Sequence, residues 1–241
     1  MTDNLAVDFS VLDTLPISSW KYPRILVGIP LERTISHADQ VFFNFLEIAT
    51  QGPAFIDQKY GRIDVTRNMM VKALLESNYT HLLMLDLDHI HPTNIIQRLA
   101  RWIIVDPSIQ IVSGLNFRRG APFDPVMGSE SSSSKDRKLV ASWPQGLLRS
   151  REVGGASLLV SRKVFETIEP PWFYNIYTEV WQNSWPGEDI GFSRKCSAAN
   201  IEMFVDTTTT SPHCTDALIT EETYRAYLAA NTPREPLHGY V

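Results

Sequence analysis

Short apolar runs separated by helical segments constrain the fold of this chain more than any other feature. The runs lie in residues 21–30, 81–85 and 109–115. They have the short, continuous apolar character of strands buried in a parallel sheet. The intervening segments have helical length or spacing and comprise residues 38–51, 64–77 and 92–104. This alternation predicts an α/β fold with a mixed, mainly parallel central sheet flanked by helices.

The second half of the chain has weaker patterns. Residues 118–146 are rich in Pro, Gly and Ser, which predicts a surface loop. The elements expected after it are a strand, two helices, a strand and a C-terminal helix, in residues 152–160, 162–167, 188–199, 201–206 and 215–230. The loop is short and flanked by strands, so it connects parts of one domain. We therefore expect residues 1–241 to form a single domain.

Composition excludes several classes of protein. A formal charge of −5 argues against binding of nucleic acid through bulk charge. The two cysteines do not predict a disulfide framework. The N-terminus lacks the pattern of a secretory signal, and no stretch approaches the roughly 18 apolar residues that a membrane span needs. We expect a soluble protein without a transmembrane segment, located in the cytoplasm.

Two aspartates directly follow the apolar run of residues 81–85. Asp86 and Asp88 would face the same side of a continuing strand, because side chains alternate along a strand. They would lie at the carboxyl end of that strand, where open α/β sheets bind ligands. Paired carboxylates suit Mg²⁺ or Mn²⁺, which in turn suit a diphosphate. The alternative is a strand end whose acidic residues only face solvent.

Two further polar sites occur in the second half of the chain. Glu188 and Asp189 begin a predicted helix, where they either complement the helix dipole or supply a general base. His213 follows a predicted strand. It is either a loop residue or the nitrogen ligand that completes a carboxylate metal site.

The order of these features resembles the GT-A glycosyltransferases, and most closely their family-2-like group. The resemblance covers Ile25 to His213 and rests on segments that occur in the family's order. They are TRNMMVKALLESNYTHLLMLDLDH, IVSGLNFRR, VGGASLLVSRKVFETI, GEDIGFSRKCSAANIEMFVD and SPH. The resemblance implies a GT-A fold and transfer of a sugar from a nucleotide-diphosphate donor, expected to be a UDP- or GDP-sugar, to an acceptor hydroxyl.

The resemblance also implies where the donor and its metal ion bind. Asp86 and Asp88 match the pair that binds the diphosphate and, together with His213, Mn²⁺ or Mg²⁺. His213 is preferred over His89 and His91 as the nitrogen ligand. The other implied donor-binding residues are Pro30, Glu32, Arg67, Gly154 and Gly155. Among these, the arginine is expected near the base or phosphates, and the glycines are expected to let the backbone approach the donor.

For catalysis, the resemblance assigns Asp189 as the general base of an inverting enzyme, with Glu188 beside it. It implies a nucleotide-sugar-binding half in residues 21–115, an acceptor and catalytic half in residues 116–214, and a tail in residues 215–241 that should be helical. Residues 120–150 carry no family signature, so the acceptor stays open between a glycan, a small molecule, a protein and a modified base.

Two other interpretations of the sequence remain open. A haloacid-dehalogenase-like phosphatase also has an apolar strand that ends in two spaced aspartates, with the first, here Asp86, as nucleophile. Ile90 holds the place of that family's usual Thr or Val, and the motif comes late in the chain, which disfavours this class. The second alternative is a GT-A-fold protein that binds a nucleotide or glycan without turnover. The presence of Asp189 together with the aspartate pair disfavours it.

Overall fold

A seven-stranded sheet lies at the centre of the computed structural model, which describes residues 12–14, 16–30, 37–58, 61–128, 142–177, 186–215 and 218–231. Its strands are β1 Ile25–Pro30, β2 Ala54–Gln58, β3 His81–Leu85, β4 Ile111–Leu115, β5 Leu147–Ser150, β6 Ser157–Ser161 and β7 Met203–Thr210. A separate two-stranded sheet comprises β8 His213–Cys214 and β9 Leu218–Ile219. The helices are α1 Ala38–Ala49, α2 Ile63–Glu76, α3 Ile95–Val105, α4 Arg162–Thr167, α5 Glu188–Ala198 and α6 Glu221–Ala230.

The strand order of the central sheet is β2-β1-β3-β6-β4-β7-β5. Strand β1 pairs in parallel with β2 and β3, and β4 pairs in parallel with β7. Strand β6 runs antiparallel between β3 and β4, and β5 runs antiparallel at one edge. The predicted mixed, mainly parallel sheet flanked by helices is therefore confirmed.

Side chains of β3 alternate between two hydrophobic layers. Leu82 and Met84 join the layer that contains apolar residues of α2, α4, α5 and α6. Leu83 and Leu85 join the layer that contains apolar residues of α1 and α3. Because both faces of the strand are covered, every position in it is apolar or buried, which explains the continuous run in the sequence.

The structure differs from the sequence prediction mainly at the edges of the sheet. The sequence does not predict strands β2 and β5, because both are short edge strands and neither contains a long apolar run. The strand expected over residues 152–160 begins only at Ser157, so Gly154 and Gly155 lie in the approach to β6. Helix α3 begins at Ile95, after the turn that contains Pro92.

The antiparallel direction of β6 brings distant parts of the chain together at the carboxyl end of β3. Leu85, the last residue of β3, pairs with Ser157, the first residue of β6. The chain therefore leaves β3 at the same point where it enters β6, and the Asp86 N–H donates to the Ala156 carbonyl oxygen at 2.9 Å. The residues that follow β3 and the residues that precede β6 consequently lie side by side at this end of the two strands.

Candidate active site

Asp86 and Asp88 come after β3, but they are held by different partners. The strand ends at Leu85, so both aspartates lie in the turn after it and the period-two argument does not apply to them. Asp86 accepts hydrogen bonds from the Arg67 guanidinium, whereas Asp88 contacts two histidines. Both aspartates nevertheless line one cavity.

A cluster of possible metal ligands surrounds Asp88. His89 Nδ1 lies 2.8 Å from Asp88 Oδ1, and His213 Nε2 lies 3.0 Å from Asp88 Oδ2. One potential ligand atom from each of the three residues lies within 4.8 Å of the others. We call these residues, Asp88, His89 and His213, the Asp88 cluster. The structure thus brings the predicted ligands Asp88 and His213 together and adds His89.

The hydrogen bonding of His213 suits a cation at the Asp88 cluster. Its Nδ1 lies 2.8 Å from the Phe117 carbonyl oxygen, which can only accept, so Nδ1 donates. In a neutral ring, Nε2 then carries a lone pair that faces the Asp88 carboxylate. Such an arrangement requires either a protonated ring or a cation shared by Nε2 and Oδ2. The donor set of this cluster therefore fits a divalent cation.

Charges within the Asp88 cluster reinforce each other. Burial opposes ionisation of Asp88, but hydrogen bonds from His213 and His89 outweigh it and hold the pKa of the carboxyl well below its usual range. Burial also lowers the pKa of His213, but the Asp88 carboxylate outweighs this effect and raises that pKa above its usual value. The carboxylate is consequently negative at neutral pH, which is the charge state that suits a cation.

The two local histidines, which are weaker ligand candidates than His213 on the sequence alone, have different surroundings. His91 is fixed within the protein, because its Nε2 donates to the Asp86 carbonyl at 3.0 Å and its Nδ1 lies 2.9 Å from Ser211 Oγ. Burial lowers the pKa of His91 to about 3. His89 stacks on His213 with ring centroids 4.0 Å apart, and its buried Nε2 has no hydrogen-bond partner among the described residues. His89 thus belongs to the site, and His91 supports the turn.

Arg67 is buried and connects the other walls of the cavity. Its Nη2 donates to both carboxylate oxygens of Asp86 at 3.0 and 2.9 Å, its Nε to Glu188 at 3.0 Å, and its Nη1 to the Gly155 carbonyl at 2.8 Å. Burial works against the charged guanidinium, but Asp86 and Glu188 outweigh it and raise the pKa of Arg67. We call these contacts the Arg67 network. Since its nitrogens are occupied by protein acceptors, it holds the site together.

The two glycines before β6 have specific neighbours. A Cβ on Gly155 would lie 2.6 Å from Arg67 Nη2, so the glycine leaves room for the guanidinium. A Cβ on Gly154 would lie 3.2 Å from Val126 Cβ. Both glycines line the cavity. In this structure Arg67 fills the space beside Gly155, where the family resemblance predicts the donor.

The start of α5 places two carboxylates in the cavity. Glu188 is paired with Arg67, whereas Asp189 Oδ1 accepts from the Ile190 N–H at 2.8 Å. Burial, together with the nearby Glu188 charge, raises the pKa of Asp189 to about 6. Asp189 is therefore the better proton acceptor of the two, because Glu188 is engaged by a guanidinium.

The cavity has a volume of about 360 Å³ and contains most of the predicted site residues. Sequence reasoning missed three polar lining residues, Asn116, Arg118 and Arg119. The sequence feature that could have identified them is the pair of arginines in the NFRRG sequence, directly after a predicted strand. Pro30 ends β1 and is not among the described lining residues, and Glu32 lies outside the residues that the structure describes.

A larger cavity of about 620 Å³ lies beside β5 and holds none of the predicted site residues. Its Arg149 and Glu202 side chains pair with each other at 3.0 Å. In the part of the chain that the structure covers, no helix has both the length and the apolar character needed to cross a membrane.

No protein-family model matches this chain, and no curated protein matches it. Solved structures with a similar fold include A197 from STIV, at 16% identity and a TM-score of 0.56, covering 80% of this chain and 86% of that chain. GalNAc-T7 with UDP, GalNAc and Mn²⁺ matches at 13% identity and a TM-score of 0.49, over 85% of this chain and 47% of that chain. A CMP:2-keto-3-deoxy-manno-octonic acid synthetase complexed with CTP matches at 11% identity and a TM-score of 0.45, over 86% of this chain and 99% of that chain. At these identities the likeness concerns the fold alone.

Proposed function

We propose that this protein transfers a sugar from a nucleotide-diphosphate sugar to an acceptor hydroxyl, with the help of a divalent cation. The observation that carries the proposal is a single cavity that contains a cluster of potential metal ligands and a separate carboxylate. The Asp88 cluster supplies the first and Asp189 supplies the second. The cavity draws residues from both proposed halves of the chain, residues 21–115 and 116–214.

The Asp88 cluster is proposed to hold the cation. Its potential ligands are one carboxylate and two imidazoles, and imidazole nitrogen suits transition metals better than Mg²⁺. We therefore favour Mn²⁺ over Mg²⁺. When bound, such a cation stabilises negative charge on a diphosphate leaving group. Asp86, a ligand in the sequence prediction, instead orients Arg67 in this proposal, because both its oxygens are engaged there.

Asp189 is proposed to accept the proton of the acceptor hydroxyl. A base in this role must be ionised at the working pH and must reach the cavity. Asp189 lines the cavity, and its raised pKa of about 6 increases its basicity while leaving it ionised at neutral pH. Glu188 is proposed to support it by fixing the start of α5 through Arg67.

Inversion at the anomeric carbon is the stereochemical outcome that we propose. A retaining double displacement needs a free carboxylate as nucleophile in addition to the base. Among the described lining residues, Asp86 and Glu188 are paired with Arg67, and Asp88 contacts two histidines. Among these carboxylates, Asp189 alone then remains available as a base, and none remains as a nucleophile. This supports a single displacement at the anomeric carbon.

The same contacts disfavour a phosphatase that uses Asp86. A nucleophilic carboxylate must present an oxygen to the phosphorus atom, but both oxygens of Asp86 accept from the buried Arg67. The haloacid-dehalogenase-like alternative is therefore not supported by the geometry.

A thermal-shift screen tests the proposed function. Wild type and Asp88→Asn are heated with UDP- and GDP-sugars, with and without Mn²⁺. A ligand that binds only the native state raises the melting temperature. We expect at least one donor to do so in wild type with Mn²⁺ and not in Asp88→Asn. Asp106→Asn, which alters an exposed carboxylate elsewhere, is the matched control. No shift with any donor would contradict the proposal.

The donor identified in this way allows a test of chemistry. We expect Asp189→Asn to bind the donor but to lose about 10²- to 10⁴-fold in transfer or donor hydrolysis. The wild-type rate should fall as pH decreases through about 6, because protonation removes the base. Donor binding without any turnover would indicate the binding-protein alternative. A product with the donor's anomeric configuration, measured by NMR, would rule out inversion.

A further inference from the structure

Arg119 is an exposed arginine that points at the Asp88 cluster. Its side chain is 60% exposed, and its Nη1 lies 3.6 Å from Asp88 Oδ2. The neighbouring Arg118 is tied to Asp124, because its Nε lies 3.4 Å from the Asp124 carboxylate and its backbone N–H donates to the Asp124 carbonyl at 3.1 Å. The turn after β4 is thus fixed through Arg118, while the Arg119 guanidinium is largely exposed and contacts Asp88 only at 3.6 Å.

Arg119 and a bound cation would compete for the same oxygen. Asp88 Oδ2 is contacted by His213 Nε2 at 3.0 Å and by Arg119 Nη1 at 3.6 Å. A divalent cation held by this oxygen and His213 would place positive charge next to the guanidinium. The two positive groups repel each other, so binding of the cation favours a position of Arg119 away from Asp88.

The other cationic side chains of the cavity are less available. Arg67 is 2% exposed and donates to three protein groups. Arg118 is paired with the buried Asp124. Among the described residues that line the cavity, Arg119 is therefore the arginine best able to meet an incoming anion.

We infer that Arg119 exchanges partners on ligand binding, leaving Asp88 when the cation binds and then contacting the diphosphate of a nucleoside diphosphate. This inference rests on the proposed function and adds a residue that binds the diphosphate group. The planar guanidinium can donate two parallel hydrogen bonds to phosphate oxygens, which an ammonium group cannot. Contact with the diphosphate also offsets the negative charge that it gains as the sugar leaves.

Calorimetric titrations of wild type, Arg119→Gln and Arg119→Lys test the exchange. Mn²⁺ is titrated alone, and UDP and GDP are titrated at saturating Mn²⁺. We expect Arg119→Gln to bind the preferred nucleotide about tenfold more weakly, because a charged hydrogen bond is lost. The same variant should bind Mn²⁺ about twofold more tightly, because the competing guanidinium is gone. Arg119→Lys should recover only part of the nucleotide affinity.

The opposite signs of the two effects distinguish exchange from a structural role. Arg151→Gln, which changes an exposed arginine in the other cavity, is the control and should alter neither affinity. Equal nucleotide affinity in wild type and Arg119→Gln would overturn this inference alone. Weaker Mn²⁺ binding in Arg119→Gln would also overturn it, because it would show that Arg119 supports the metal site. A wild type that binds neither UDP nor GDP would overturn the proposed function as well.

Discussion

The Arg67 network and the Asp88 cluster line the same cavity but differ in how completely the protein satisfies them. In the network, every group that Arg67 contacts is a protein acceptor at 2.8 to 3.0 Å. In the cluster, His213 Nε2 faces a carboxylate oxygen and His89 Nε2 lacks a partner among the described residues. A satisfied buried network stabilises the fold, whereas a ring nitrogen without a partner, in a histidine that lines a cavity, suits a ligand. This difference assigns the Arg67 network to support of the fold and the Asp88 cluster to ligand binding, although each of them contains an aspartate.

Removing Arg67 should have the largest effect on stability. Arg67→Met leaves Asp86 and Glu188 largely buried without their cation, which should cost about 3 to 5 kcal/mol of unfolding free energy. Urea denaturation measures the change. Lys72→Met, which alters an exposed lysine of the same helix paired with an exposed glutamate, should leave stability nearly unchanged. If both variants were equally stable, the network would not have the supporting role assigned to it.

Changing Asp88 should affect metal binding more than stability. Asp88→Asn removes the charge that His89 and His213 share, and Mn²⁺ affinity should fall by about 100-fold or more. Titration of Mn²⁺ monitored by electron paramagnetic resonance measures free and bound metal. The loss of unfolding free energy should be smaller than in Arg67→Met. Unchanged Mn²⁺ affinity would remove the cluster from consideration as a metal site.

Adding a methyl group at Gly155 should weaken the Arg67 network without removing charge. The new Cβ would meet Arg67 Nη2 at 2.6 Å, and the displaced guanidinium should cost about 1 to 3 kcal/mol. Gly154→Ala, whose Cβ would meet Val126 at 3.2 Å, should cost less. Urea denaturation of both variants compares them. A larger loss for Gly154→Ala would indicate that room for Arg67 is not what Gly155 provides.

His89 should have the smallest effect of the four positions and determines the size of the cluster. We expect His89→Gln to weaken Mn²⁺ binding about tenfold, less than His213→Gln, because the Phe117 carbonyl oxygen orients the His213 ring with its Nε2 towards Asp88 Oδ2. The same titration measures both variants. Mn²⁺ affinity equal to wild type in His89→Gln would reduce the cluster to Asp88 and His213.

Elements that depend on local patterns are predictable from this sequence, whereas contacts between distant residues are not. The apolar run of β3 and the helical spacing of α2 are local, and both elements occur where expected. The Arg67 network joins residues separated by 19, 88 and 121 positions, which no local pattern reveals. The family resemblance favours His213 over His89 as a metal ligand, whereas the structure brings both histidines to Asp88. The turn after Leu85 is the feature that lets the His89 ring contact the carboxylate of its neighbour Asp88.

The position of β6 has a consequence for the order in which the protein can form during synthesis. Strands β3 and β4 each pair with β6, which lies between them. At the usual strand spacing they are about 10 Å apart, too far to hydrogen-bond to each other. A nascent chain that has emerged through residue 115 therefore contains both strands but has a gap between them. The centre of the sheet can form only after β6, which ends at Ser161, has left the ribosome. The strands of the first half of the chain therefore cannot complete the sheet until β6 has been synthesised.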